Sequence, residues 1–438
     1  MNTNILEYGA VSGGKVLCTD AINAAIEACA NSGGGRVTVP AGFYLSGTIW
    51  LKSGVELHLE HGSTIKGSDN MDDYNPVDAY EQNMSSPTNE KWLGKHLLVA
   101  LECENVAVTG TGTFDGNGDF FLGEAKPWSC YVWRDGCRQA KDETLCRPGQ
   151  LLCFIECKRV LVENITLRNQ PCWGCFLHGC EYVTVRGLQT RNPTTFFNSD
   201  GIDIDCCRYV TVSDCIIDTG DDCIAIRGSN RLLKDKKICE YITISNCVLG
   251  SNSCTFRLGV GNGTIRHVRV SNIAITRGAP AVHIMSSYMG KGSCSIYDAS
   301  FTNLSISNAS RAFEITEHSA EGTASIRDIT VENVRCESYG YIHLNVANEN
   351  TVENINLRNW QILLEDGPKP VVPKCYERRG TVWFRGQHVK DLTLDNFKIQ
   401  DPDGYLSIWQ DGLFSLPNCE NVAFKNVTLN GKPVETQI

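Results

Sequence analysis

One short phrase returns again and again from about residue 100 onward, and this repetition limits the fold more than any other feature. It reads "VLVENITLRN" at Val160, "VTVRGLQTRN" at Val183, "VTVSDCIIDTG" at Val210, "ITISNCVLG" at Ile242 and "VRVSNIAIT" at Val268. It continues as "ITVENVRCES" at Ile329, "VENINLRNW" at Val352, "LTLDNFKIQ" at Leu392 and "VAFKNVTLNG" at Val422. The interval is mostly about 23 to 32 residues, in the range of solenoid repeats. Each phrase reads as two short strands whose β-branched residues alternate inward around a small or Asn-containing bend. Such a unit cannot bury its apolar side alone. Successive turns must therefore stack about 4.8 Å apart, with hydrogen bonds running from turn to turn. The expected fold is all-β, a right-handed single-stranded parallel β-helix. A propeller would need about four antiparallel strands per repeat of about 40 residues, and no hairpin signal stands between the phrases.

Length alone, 438 residues, would suggest two or three domains, but a solenoid is one continuous stack, so 1–438 is expected to form a single domain. A stack needs closed ends. "TDAINAAIEACANSGGG" supplies a short N-terminal capping helix over about 19–32, with Thr19 or Asp20 as N-cap, Ile22, Ala25, Ile26 and Cys29 as the apolar stripe, and Gly33 to Gly35 as the stop. Residues 117–150 break the rhythm with an aromatic and charged inserted loop, the kind that lines a binding site on a rigid scaffold or makes an oligomer contact. A homo-oligomer is therefore among the expected assemblies.

The formal charge of -10 and pI near 5.5 argue against nucleic acid, which demands a clustered basic surface. No segment has the length and apolarity of a membrane span, and "NTNILEYGAV" after Met1 lacks the regions of a secretory signal. The 22 cysteines include the adjacent pair Cys206 and Cys207 and scattered singles such as Cys18, Cys294 and Cys336, a pattern unlike a small disulfide framework. The expected compartment is the reducing cytoplasm, or outside the cell if a leader has been removed. Cys172-Trp-Gly-Cys175 has the spacing of a metal or redox pair, yet no second pair lies at ribbon spacing, so core packing is the expected use.

Seven carboxylates fall between Asn198 and Arg227 among alternating isoleucines. Stacking explains why. With Ile202 and Ile204 registered on Ile224 and Ile226, Asp200 falls on Asp222 one turn later, and Asp221 leaves the strand in a different direction. Acids this close repel, so the arrangement costs stability and calls for a reason; a structural site for calcium is the bland alternative. Asp214 and Asp218 read as bend residues. The chemistry suggested is inverting glycoside hydrolysis, in which one carboxylic acid protonates the leaving oxygen and others activate a water, with acid and base about 6.5 to 9.5 Å apart. No metal or organic cofactor is needed for it.

The chain resembles glycoside hydrolase family 28, the polygalacturonases and their relatives. The likeness rests on "EYGAVSGGKVLCTDAINAAIEAC", "GGGRVTVPAGFYLSGTIWLKSGVELHLEHGSTIKGS", "GTGTFDGNG" and "RPGQLLCFIECKRVLVENITLRNQPCWG", and above all on "NSDGIDIDCC" and "GDDCIAIR". The last two match the family's Asn-Thr-Asp and Gly-Asp-Asp signatures, with Ser199 in place of Thr. The resemblance implies Asp221 as general acid and Asp200 with Asp222 as activators of water. Two family motifs read differently here. The Gly-His-Gly position holds Asn252, Ser253 and Cys254, and the Arg-Ile-Lys position holds His283, Ile284 and Met285; the family's histidine after its Ser-Pro-x-Trp motif aligns with Phe176.

Losing those cations changes what the subsite can hold, because a guanidinium or ammonium opposite a carboxylate gives a charge-assisted bond that Met285 cannot. The same register predicts an outward column of Asp203, Ala225, Arg257, His283, Glu314 and His343, with Asp205 beside Arg227 as a cross-turn ion pair. Arg257 and His283 are the leading substrate contacts, with Asn198, Arg227, Glu314, Tyr131 and Trp133 as further candidates and Trp173 as a ring that either stacks on sugar or packs. The expected function is a pectinase-like inverting glycosidase with an altered subsite, exo-acting, on an oligosaccharide or small glycoside. The alternatives are an exo-galacturonidase that uses Arg257 or Lys291 as replacement cation, a non-catalytic carbohydrate-binding β-helix, and a polysaccharide lyase.

Overall fold

The computed structural model describes residues 1–76, 94–122, 133–134, 137–138, 147–229, 233–287, 292–319, 323–338, 341–365, 382–409 and 411–434. Two compact units are present: residues 1–221 with 232–234, and residues 222–231 with 235–438. Each is a stack of parallel β-coils.

In the first unit one sheet runs Ile49–Leu51, Leu98–Leu101, Leu152–Ile155, Cys175–His178 and Ile202–Asp205, all parallel. A second row contains Glu104–Gly110, Lys158–Glu163, Glu181–Arg186 and Arg208–Ser213, and a third contains Thr113–Asp115, Thr166–Arg168, Gln189–Arg191 and Ile216–Thr219. The repeated phrase supplies the second and third rows as two strands around a bend, as its pattern predicts. The remaining strand of each coil comes from the segment before the phrase, such as "IDID" at Ile202.

In the second unit the two strands of the phrase merge into one long strand, as in Thr264–Arg277, Ser295–Ser307 and Ile326–Glu337. The bend survives as a single left-handed residue. Asn246, Asn272, Asn303, Asn333, Asn359 and Asn396 all have φ between 53° and 57°. Asparagine tolerates this region better than most residues because its short amide bonds locally. Here each amide also donates to the preceding one, Asn303 to Asn272 at 3.0 Å and Asn333 to Asn303 at 3.1 Å. The recurring Asn of the phrase is thus a ladder that carries the bend from coil to coil.

The inward positions form the core. Val268, Phe301, Ile329, Leu357 and Leu394 are fully buried, and the register places Val268 on Ala299 and Ile329 on Ile355. A buried aliphatic side chain contributes about 1.5 to 3 kcal/mol by leaving water, so a column of them outweighs the cost of fixing the coils. The helix Thr19–Asn31 lays Ile22, Ala25, Ile26 and Cys29 against the first coils, the expected stripe. Its N-cap is Cys18, and Thr19 is its first residue. Thr19 does other work: its hydroxyl accepts the Gly47 backbone N–H at 2.7 Å, tying the helix to the first coil.

Eighteen of the described cysteines are free thiols. Four of them form a ladder in which Cys103, Cys157, Cys180 and Cys207 each point Sγ at a carbonyl one coil earlier, Leu51, Ala100, Phe154 and Leu177, at 3.3 to 3.4 Å. The Cys157 thiol and burial push the Cys103 thiol well above the usual range; the Cys103 bond pulls Cys157 down, but the Cys180 thiol and burial outweigh it, so both stay protonated weak donors. Cys172 and Cys175 pack in or beside the apolar cluster of Cys153, Ile155, Trp173 and Phe176, as the core reading of that pair expects.

Replacing Asn303 by alanine should lower unfolding free energy by about 1 to 2 kcal/mol, from left-handed strain and two lost amide bonds. Asn303→Gly should lose less, because glycine keeps the backbone conformation. Urea unfolding of the three proteins decides it; equal stability of the alanine and glycine variants would contradict the ladder's backbone role.

Candidate active site

The acids sit where a coil turns into its inward strand. Asp200 precedes Ile202–Asp205, and Asp221 and Asp222 precede Ile224–Gly228, strands whose alternating isoleucines are fully buried. All three are almost completely buried. Asp200 and Asp221 bring carboxylate oxygens within 4.8 Å of each other. Two of the acids that the sequence sets together therefore meet.

Within the first unit, the Asp221 carboxylate accepts the Asn198 backbone N–H at 2.9 Å, and its own carbonyl accepts the Thr219 hydroxyl at 2.7 Å. Asn198 has φ of 51°, which aims that N–H at the acid. Ser199 is the clasp between the two coils, donating to the Phe196 carbonyl at 2.8 Å and accepting the Gly220 N–H at 3.1 Å. Gly220 is required for this closeness, since a Cβ there would lie 2.0 Å from the Phe196 carbonyl oxygen.

Two residues that sequence reasoning passed over support this arrangement. Arg147 is buried, donates to the Pro171 carbonyl and to Asn198 Oδ1 at 3.1 Å, and lies over the Phe197 ring at 4.8 Å. Gln170 donates its Nε2 to the Asp200 carbonyl at 2.9 Å. Both stand in quoted stretches, "RPGQLL" and "RNQPCWG". Nothing in either stretch by itself says that an arginine lying 51 residues away reaches Asn198.

In the second unit, Asp222 is held by Arg257. Nε lies 2.5 Å from Oδ2, and Nη2 donates to Oδ1 at 3.0 Å, a bidentate fork. The Cys254 backbone N–H adds a third donor to Oδ1 at 3.2 Å. Arg257 was expected to meet substrate; it meets an acid of the protein instead, because the strand Phe256–Gly261 places it on the coil after Asp222 with its side chain outward.

The outward column predicted from Ala225 onward is present: Ala225 pairs with Arg257, Arg257 with His283, His283 with Glu314, and Glu314 with His343. His283 bonds Thr316 Oγ1 at 3.0 Å through Nε2 and meets Cys254 Sγ at 3.6 Å through Nδ1. Burial pushes its pKa down to about 4, against the opposing pull of Glu314. Glu314 is held by Arg311 Nε at 2.7 Å, and Arg311 also donates to the Tyr341 hydroxyl and the Ala279 carbonyl. Arg227 is buried on Ile224–Gly228. Trp173 is buried and packs edge-on against Phe176 at 5.4 Å. Tyr131 and Lys291 lie outside the described residues, and Trp133 belongs to the two-residue strand Trp133–Arg134.

The family model of glycosyl hydrolases family 28 matches residues 29–375. An exo-poly-alpha-D-galacturonosidase of Dickeya chrysanthemi is 29% identical over 251 residues, 50% of this chain and 41% of that relative. An endo-polygalacturonase of Pectobacterium carotovorum subsp. carotovorum is 25% identical over 364 residues, 78% of this chain and 86% of that one. Among solved structures, a hyperthermoactive exopolygalacturonase from Thermotoga maritima aligns with a TM-score of 0.68 at 25% identity, covering 84% of this chain and 88% of that chain. The chain thus spans about two fifths of the Dickeya relative's length.

His283 gives a pH signature. Its folded pKa of about 4 lies below the ordinary 6.5, so between these values the unfolded chain binds more protons and stability falls as pH drops from about 6.5 toward 4. Thermal melts across that window should show a shallower decline for His283→Gln than for the wild type. Identical slopes would mean that His283 is not held neutral.

Proposed function

Because the chain belongs to glycosyl hydrolases family 28, we propose that it is an inverting, polygalacturonase-like glycosidase that removes a terminal residue from an oligosaccharide. The observation that carries this reading is the buried meeting of Asp200 and Asp221, with the Asn198 N–H on Asp221. A glycosidase needs a carboxylic acid and a carboxylate around one bond, and each acid here is oriented by its own donors. Asp221 gives its proton to the leaving oxygen. Asp200 and Asp222 serve to draw a proton from water, whose oxygen attacks the anomeric carbon from the opposite face. Inversion rests on family membership.

The subsite is read as altered. Arg257 and Arg311 are each committed to a carboxylate of the protein, and His283 is held neutral at pH 7. A uronate carboxylate arriving at this column would find its cations already engaged. A second reading, action on galacturonides, is favoured by the names of the Dickeya and Thermotoga relatives, which also support exo action. The two readings part on substrate: oligogalacturonides against neutral oligosaccharides of the same length.

Asp221→Asn should lower kcat by about 100- to 10,000-fold on the better of these substrates. Proton NMR of the first product should show the anomer opposite to that of the bond cleaved. Wild-type turnover by the variant would remove Asp221 from the role of acid, and a retained anomer would replace inversion by a double displacement.

A further inference from the structure

The outward column of the second unit holds two guanidinium–carboxylate contacts, Arg257 on Asp222 and, two coils beyond Arg257, Arg311 on Glu314. His283 stands between them in register. Its imidazole adds no charge near neutral pH, since burial pushes its pKa down to about 4, and burial lowers that of His343 on the coil after Glu314 as well. All of these residues belong to the second unit. Arg257 and His283 each keep 13% of the side chain exposed and Glu314 keeps 9%, so the row is the floor of an open face and not sealed core.

Arg311 does not depend on Glu314 for its position. Nη1 donates to the Tyr341 hydroxyl at 3.2 Å, Nη2 donates to the Ala279 carbonyl at 2.8 Å, and the guanidinium lies over the Tyr341 ring at 5.9 Å. A guanidinium is charged at any ordinary pH. Glu314, 2.7 Å from Nε, therefore decides whether that charge is offered outward, and not where it sits. The next cation of the column, Arg385, is exposed and two coils beyond Glu314, roughly 10 Å along the stack.

Resting on the hydrolase reading above, we infer that Glu314 is a specificity-determining residue: by engaging Arg311 it makes this floor a subsite for an uncharged sugar and shuts out a uronate. A uronate carboxylate settling there leaves water without gaining a cation, a cost that an ester or a hydroxymethyl group at the same carbon does not carry. The hydroxyls of an uncharged sugar need only neutral partners. His283 and the Thr316 hydroxyl bonded to it at 3.0 Å are of that kind.

Calorimetric titration near neutral pH tests this, because it reads affinity apart from turnover. The probes are trigalacturonate, methyl-esterified trigalacturonate and galactotriose, which differ only at one carbon of each ring. Wild type should bind an uncharged probe at least about tenfold more tightly than trigalacturonate, roughly the value of one charge-assisted hydrogen bond. Glu314→Gln leaves the Arg311 cation in place without its carboxylate, and the affinity ratio should move at least about tenfold toward trigalacturonate. Arg311→Gln/Glu314→Gln, with neither charge, should return to the wild-type preference. If Glu314→Gln does not fold, Arg311→Gln reads the pair in the opposite sense, and its ratio should move away from trigalacturonate.

A wild type that prefers trigalacturonate, an unmoved ratio in whichever single variant folds, or a preference for trigalacturonate in the double variant overturns the assignment. Failure of all three probes to bind overturns it too. Release of reducing ends is followed separately: the expected preference in binding with no cleavage of any probe upholds the role of Glu314 and sinks the hydrolase reading instead.

Discussion

The repeat of about 4.8 Å between parallel strands governs everything else in this protein. It puts equivalent residues of successive coils in contact, whatever those residues are. For isoleucine and valine this is favourable, and the core columns follow. For asparagine it is favourable too, because an amide has both donor and acceptor and can bond its own copy, as Asn272, Asn303 and Asn333 do. For cysteine it is tolerable, because the thiol turns to a carbonyl of the coil before. For aspartate it is costly.

That cost is where structure becomes function. Each of the acids has donors of its own: Asp221 the Asn198 N–H, Asp222 the Arg257 guanidinium and the Cys254 N–H, and the Asp200 backbone carbonyl the Gln170 amide and the Gly174 N–H. The stiffness of the stacked coils holds these partners in place.

Much of this was legible in the chain. The Asn-containing phrase announced the coils, and the alternating isoleucines announced the inward face of the strands beside the acids. Counting placed Arg257, His283, Glu314 and His343 in one column. What it could not supply was the partner each side chain chooses. Arg257 was read as facing substrate, and its outward position was right; its guanidinium folds back onto Asp222 because the flexible stem can span one coil. Arg147 was invisible, since its contact with Asn198 joins a segment outside the repeat to the site. Thr19 looked like a helix cap and instead clasps Gly47.

Sequence by itself determined the kind of fold, the identity of the acidic cluster and the positions sharing a face, because a fixed strand spacing turns residue numbers into distances. The tertiary structure alone decided which charges neutralise one another, how closely the acids approach, and that Arg257 and Arg311 are engaged within the protein. Pairing of long side chains depends on rotamers and burial. These are set by neighbours from several coils at once, and no linear pattern records them.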